Sequence, residues 1–385
     1  MKNLTIRKLI SAAAAAALSL ALLAGCAAVT EGTEKTSAVS ETVSTESASE
    51  ADLPEADEDD QDPAYSEEDS EAIDISEVSD VSITEGGTYI ITGDTSDGGI
   101  TVDAGDDDVQ LVLRNVSLTS GDSAAITVLS AGEVSITLEG SNYLANGGQF
   151  TTGSDEEVDA VIYSKSDLTL NGEGSLEISS PAGHGIVCKD EMVITGGTYV
   201  IEASEDGINT NDSLLITSGS FTIDAGDDAI HTDGVLRITG GTLDITAAEG
   251  LEGTEIVIDG GEITISATDD GINAAQKTEG MDVFVEINGG TITITMGQGD
   301  TDGIDSNGDI TITGGTVDIT GMSAVDYVGT ASLTGGTLIV NGVQTDTLTN
   351  QEMGGGIAPG EGALPEGEMP GEPPSGDPPQ GMFPG

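Results

Sequence analysis

Ile194-Thr195-Gly196-Gly197-Thr198-Tyr199-Val200-Ile201 returns as Ile238-Thr239-Gly240-Gly241-Thr242-Leu243-Asp244-Ile245. It recurs as Ile287-Asn288-Gly289-Gly290-Thr291-Ile292-Thr293-Ile294 and as Ile312-Thr313-Gly314-Gly315-Thr316-Val317-Asp318-Ile319. Each copy is a short β-branched run, a Gly-Gly turn, and a second run in which apolar residues alternate with polar ones. Alternation of period two (Leu243, Ile245; Ile292, Ile294) reads as strand and excludes helix. A second phrase, fullest as Asp-Asp-Gly-Ile, interleaves with the first. Alignment on its apolar residue gives Ile100, Ile126, Val161, Ile186, Ile208, Ile230, Leu251, Ile272, Ile304 and Val325. From Ile186 onward the steps are 22, 22, 21, 21, 32 and 21 residues. The long step holds an insertion around 274–282, and an earlier one lies around 142–158. Short strands and glycine turns at a fixed period are the mark of a solenoid. Leucine-rich repeats are excluded, because their leucine and asparagine spacing is missing. The expected fold is all-β, a right-handed parallel β-helix of about ten turns over residues 73–348.

The position before the aligned residue supports this register. It reads Gly99, Ala125, Ala160, Gly185, Gly207, Ala229, Gly250, Gly271, Gly303, Ala324. A column of small residues implies a tight corner with no room for a side chain.

The repeat ends where the composition changes. Lys2, Arg7 and Lys8 precede an apolar run to Ala24, then Leu23-Ala24-Gly25-Cys26. A basic start followed by a short apolar core is a secretory signal, 1–25. Its end resembles the lipobox of bacterial lipoproteins, which implies cleavage before Cys26, a diacylglycerol on its sulfur, and an extracytoplasmic protein anchored to the cell membrane by lipid alone. Residues 26–72 are Ser, Thr, Glu, Asp and Ala with almost no apolar content, and are expected to form a disordered stalk. Residues 349–385, rich in Gly, Pro and Glu, are expected to form a flexible tail.

The chain of 385 residues carries 70 acidic side chains against 9 basic ones, a net charge of −61. So negative a protein excludes nucleic acid and anionic lipid as partners, and a monomer is expected. With Cys26 lipidated, Cys188 has no disulfide partner and reads as a small packed side chain.

The acids are not scattered. Two residues before the aligned position the later turns read His184, Asp206, Asp228, Glu249, Asp270, Asp302, Ser323. One residue after it they read Val187, Asn209, His231, Glu252, Asn273, Asp305, Asp326. Glu205, Asp227 and Asp269 add a partial third column. Strands stack about 4.8 Å apart, where bare carboxylates repel by about 1 to 3.5 kcal/mol per pair. A counter-charge is therefore expected. Calcium takes six to eight oxygens at about 2.3–2.6 Å, so one ion can touch two turns. Magnesium suits the site less, needing a rigid octahedron, and zinc less still, because His184 and His231 sit two turns apart without thiolates. The candidate ligands are Glu205, Asp206, Asn209, Asp227, Asp228, Asp269, Asp270, Asn273, Asp302 and Asp305. The belt is expected from Ile208 to Val325, with Leu251 as its weak rung. The blander alternatives are acids that merely solvate a corner and calcium that merely staples the rod.

The Ile-Thr-Gly-Gly-Thr turns, the acidic corners at Glu205-Asp206-Gly207-Ile208, Asp227-Asp228-Ala229-Ile230 and Asp269-Asp270-Gly271-Ile272, and the lipoprotein start together resemble a known family. It is that of calcium-binding parallel β-helix carbohydrate-binding proteins of bacterial cell surfaces, which bind cellulose and polygalacturonate and share their fold with pectate lyases. The resemblance covers roughly residues 78–345 and implies polysaccharide binding with calcium and no catalytic residues. Acidic polysaccharide bridged by calcium fits better than neutral glucan, which usually stacks on aromatic rings, because the chain has no Trp. Two alternatives stand beside it: a pectate-type lyase with Lys189 or Lys277 as base, and a surface spacer or adhesin with structural calcium.

Overall fold

A computed structural model describes residues 4–6, 53–150, 158–298 and 301–350. The rest of the signal segment, Cys26, most of the expected stalk, and the tail from 351 lie outside the described residues.

The repeat coils into a parallel β-solenoid of about eleven turns. One sheet takes a strand from each turn, from Asp80–Ile83 through Ile208–Thr210 and Asp228–Thr232 to Ser323–Tyr327, with Leu4–Ile6 paired beside its first strand. Two further stacks carry the strands on either side of each Gly-Gly turn, such as Val235–Ile238 and Thr242–Ala247. They join into one sheet because Gly87–Thr95 and Val109–Ser120 run through both. Pairing is parallel until the end, where Val343–Thr345 folds back antiparallel on Thr337–Val340 and covers that edge. The only helix among the described residues is Glu58–Gln61.

Stacking in register explains the composition. Ile186, Ile208, Ile230, Leu251, Ile272, Ile304 and Val325 pair in succession and are all buried. Tyr199 and Phe221 stack with centroids 4.9 Å apart inside the next ladder, and the Tyr199 hydroxyl donates to Gly196 O at 2.8 Å. Tyr199 is thus core and cannot stack on a sugar. Cys188 is a buried free thiol, pushed up to about 12 by burial. The second glycine of the turn needs the left-handed region, with φ of 93° at Gly241. At the corner, a Cβ on Gly207 would lie 2.6 Å from Ala229 O.

The structure corrects the alignment in three places. Ile162, not Val161, pairs with both Ile126 and Ile186. Val161 therefore takes the corner, and Ala160 falls opposite His184. The outward positions here, Ala160 and Tyr163, are themselves buried in a side cluster with Ala124 and Val187. With both phases apolar, the alternation that fixes register disappears. An additional turn, centred on Val81, precedes Ile100. It carries Asp80 in the small-residue column, which the loose corner permits: a Cβ on Gly99 would meet nothing closer than 3.6 Å. Finally, Asn142 belongs to the strand Ser141–Asn146, so the first insertion starts at Gly147.

Order also begins earlier than residue 73. Residues 54–67 run as a strap over the outer face of the second stack. Pro54 O accepts from Arg237 Nη1 at 3.1 Å, and Asp60 O accepts from Thr195 Oγ1 at 2.8 Å and Asn171 Nδ2 at 3.2 Å. The Asp60 carboxylate is hydrogen-bonded by Thr169, Tyr65 donates to Glu139 at 2.7 Å, and Arg114 pairs with Glu67 at 2.8 Å. Polar rungs at a regular spacing receive this acidic segment through hydrogen bonds rather than apolar burial.

Candidate metal centre

The two columns that flank the aligned residue lie side by side on the outer face of the first sheet. Asn209, His231, Glu252, Asn273, Asp305 and Asp326 pair rung to rung, as do Asp228 and Glu249. Two groups of ligand atoms converge there, each within 4.8 Å: Asp206, Asp228 and His231, and Asp228, Glu249 and Glu252. Asp228 belongs to both.

Hydrogen bonds fix the side chains. Asp206 accepts from Asn209 Nδ2 at 2.7 Å and from Asp228 N at 3.1 Å. His231 Nδ1 lies 3.0 Å from Asp228 Oδ2 and 2.5 Å from Glu252 Oε2, and its Nε2 is 3.3 Å from Asp233. Lys277 Nζ sits 2.5 Å from Glu252 Oε1. Asn273 Nδ2 donates to Glu249 Oε2 at 2.9 Å, while Asn273 Oδ1, buried in the same place, has no hydrogen-bond partner.

So many acids in a desolvated strip cannot all ionise unaided. Burial, with Glu252, Asp228 and Asp270 close by, raises Glu249 to about 8. Burial and the charges of Asp305, Asp269 and Asp302 bring Asp270 to about 7, and burial with Asp326 and Asp302 brings Asp305 to about 6. Asp228 is also pushed well above the carboxylate range, by burial first. Burial opposes charge on Glu252 too, but hydrogen bonds from His231 and Lys277 outweigh it and hold that carboxyl low. Burial opposes charge on His231 as well, but its contacts with Asp228 and Glu252 outweigh it and lift the imidazole to about 10.

Of the expected ligands, Asp206 and Asp228 enter the groups, and Asn209 and Asn273 brace them. Asp270 accepts from Asp302 N at 2.9 Å one turn further on, Asp302 is bonded by Ser323, and Asp305 continues the Asn273 column. Glu205 is exposed and lies 3.1 Å from His184 Nε2; Asp227 and Asp269 are exposed and join neither group. His231, Glu249 and Glu252 complete the groups although the motif did not single them out. The turn at Leu251, read as the weak rung, supplies two of the three acids in the second group. Their columns were visible; their departure from Asp-Asp-Gly-Ile hid them.

The donor set of the second group suits a hard cation: carboxylate oxygens and, beside them, an amide oxygen that is buried and unbonded. Asp228, Glu249 and Glu252, with Asn273 beside them, would hold the ion. Its charge would leave the acids deprotonated and offer open coordination positions to an outside oxygen.

Towards the N-terminus the same face changes character. Ala124, Ala160, Tyr163 and Val187 form the buried side cluster, and beyond it a shallow cleft of about 380 Å³ is lined by Ser82, Thr101, Thr127 and three aspartates.

A family model described as "carbohydrate-binding domain-containing protein" matches residues 77–248 and 227–358. A carbohydrate-binding domain-containing protein of Acetivibrio thermocellus is 34% identical over 129 residues, which is 32% of this chain and 45% of that one, so the match spans less than half of the relative. Among solved structures, a polysaccharide lyase-like protein from C. thermocellum, determined as a gadolinium derivative, aligns with a TM-score of 0.41 and 26% identity over 69% of this chain and 86% of its own.

Proposed function

The chain belongs to the family of carbohydrate-binding domain-containing proteins, and from that premise we propose that it binds an acidic, polygalacturonate-like polysaccharide through calcium held on the outer face of the first sheet. The observation that carries this is Asn273 Oδ1, buried without a partner on an amide whose Nδ2 donates to Glu249 and Glu252 of the second group. An unbonded buried carbonyl is costly, and a cation among the carboxylates would satisfy it while relieving their repulsion. Oxygen ligands drawn from three successive turns, at a spacing no rigid octahedron imposes, favour calcium over magnesium, and the lack of any imidazole or thiolate in the second group disfavours zinc.

A chain of net charge −61 repels a polyuronate. Bound calcium reverses the local sign and can share its open positions with sugar carboxylates. Lys277 is held charged by Glu252, the opposite of what a proton-abstracting base requires, so we propose binding without catalysis. A lipid on Cys26 would present the solenoid at the outer surface of the membrane.

The test is binding to arrayed polygalacturonate and cellulose with calcium and with chelator. Calcium-dependent retention on polygalacturonate is expected; equal retention after chelation would sink the bridging role.

A further inference from the structure

Lys277 belongs to the insertion between Ala274 and Phe284, which no regular turn requires. The backbone of this insertion is pinned at its start. Thr254 Oγ1 accepts from Lys277 N at 3.0 Å and Thr278 N at 3.3 Å, and Thr278 Oγ1 donates to Asp233 O at 3.0 Å. Both anchors lie on turns that carry the metal centre or flank it. They place the ammonium on Glu252 Oε1, the oxygen that also accepts from Asn273 Nδ2 at 3.4 Å. The lysine therefore sits on a carboxylate of the second ligand group, next to the unbonded Asn273 Oδ1. Glu252 itself is buried, whereas the Lys277 side chain is 29% exposed and has water to move into.

We propose that Lys277 is a tethered counter-cation of this centre, which an incoming divalent ion must displace from Glu252. The inference rests on the reading of the cluster as a calcium site and adds the residue that sets its affinity. An ammonium and a metal ion on the same oxygen, Glu252 Oε1, repel each other at close range, so a positive charge beside the centre opposes a second one. With no ion bound, Lys277 supplies part of the missing positive charge and keeps the empty centre from flying apart. With the ion bound, its side chain is released to solvent while Thr254 and Thr278 keep the backbone in place. One residue thus lowers the affinity for calcium and reports its arrival.

Two measurements on the full chain test this. Calcium titration by calorimetry should give a dissociation constant about tenfold tighter for Lys277→Met and Lys277→Gln than for the wild type. Lys277→Arg should stay close to wild type, as should Lys189→Met, a remote control for net charge. Independently, acetylation of the wild-type lysines followed by mass spectrometry should show Lys277 reacting several-fold faster in calcium than in chelator, relative to Lys165 and Lys189. Calcium that binds with unchanged affinity in Lys277→Met and Lys277→Gln, or that leaves Lys277 labelling unchanged or slower, overturns the displacement. Failure of every variant and the wild type to bind calcium overturns the reading of the cluster beneath it.

Discussion

The two ends of the first sheet share one backbone and display opposite chemistry. In the outward columns, the turns from Ile100 to Ile186 carry Thr101, Thr127, Tyr163 and Val187 beside Gly98, Ala124, Ala160 and, at the border with the acidic run, His184. The turns from Ile208 to Val325 carry Asn209, His231, Glu252, Asn273, Asp305 and Asp326 beside Asp206, Asp228, Glu249, Asp270 and Asp302. Beneath both runs the same buried ladder of Ile, Val and Leu. The inner column specifies the solenoid, and the outer columns are left open to vary. In a register this strict each outer side chain has its own kind for a neighbour. An apolar column then stabilises itself, whereas an acidic column is incomplete without a counter-charge.

The sharpest way to break that contrast is to exchange the two chemistries. Tyr163→Asp puts a carboxylate into the side cluster of Ala124, Ala160 and Val187, where no cation ligands surround it. It should cost about 3–5 kcal/mol, from the lost packing and an unpaired buried charge, lowering Tm by roughly 10 °C. The reverse change, Asp305→Val in the acidic run, should leave Tm within a few degrees in chelator, because it removes a repelled carboxylate. Thermal melts of both variants decide the point; equal losses would mean that the columns are not chemically distinct.

Calcium should act on one region only. Nearest-neighbour stability in solenoids lets one end loosen before the other. In chelator, amide exchange should therefore open the turns from Asp206 to Asp305 ahead of those from Ile100 to Ile186. Calcium at about 100 times its dissociation constant should restore about 2.7 kcal/mol, confined to the acidic run, and Asp228→Asn with Glu249→Gln should abolish the gain. Uniform protection along the rod would refute this division.

The pH response of the chelated protein follows from the same acids. Glu249, Asp270 and Asp305 titrate at about 8, 7 and 6 in the fold, against about 4 when unfolded. Between these limits the native state binds more protons than the unfolded one, so stability falls as pH rises from about 4 to 8. His231, raised to about 10, adds stability below its unfolded value that is lost on the way up through 10. Both slopes have the same sign. In chelator, Tm should drop steadily between pH 5 and 8.5; with calcium, which keeps the acids deprotonated in the fold, the slope should flatten. A Tm that rises with pH in chelator would contradict the crowding of these carboxylates.

The solenoid and the acidic columns were legible in the sequence because stacking turns periodicity into contact. Gly207, Gly250 and Ile230 each announce a place in a rung. What stayed hidden lacked a repeat. Val161 and Ile162 are both apolar and both buried, so only the pairing of Ile162 with Ile126 and Ile186 separates them. Glu249 and Glu252 stand in the right columns but outside the Asp-Asp-Gly-Ile phrase. In the sequence His231 stands out only by its distance from His184, whereas its partners in the fold are the acids Asp228 and Glu252. Residues 54–67 offered only a polar composition. Their order depends on distant rungs, Thr169, Asn171 and Arg237 among them, that no local pattern could reveal.

That strap also joins the two regions, and its removal has the smallest expected effect. It runs from Arg237, on a turn of the acidic run, back to Arg114 and Glu139 near the apolar one. Arg237→Met breaks the hydrogen bond to Pro54 O and the 3.0 Å ion pair with Asp259, and partly exposed pairs of this kind contribute about 0–1 kcal/mol. Tm should therefore shift by no more than about 3 °C. The local signature should be clearer than the global one. Amides of Glu55 and Ala56 should exchange faster, while those from Asp60 to Glu67, held separately by Asn171, Thr195, Gln110 and Arg114, keep their protection. If the variant also erased the difference in exchange between the acidic and apolar turns, the strap would be coupling the two ends of the rod rather than lying across them.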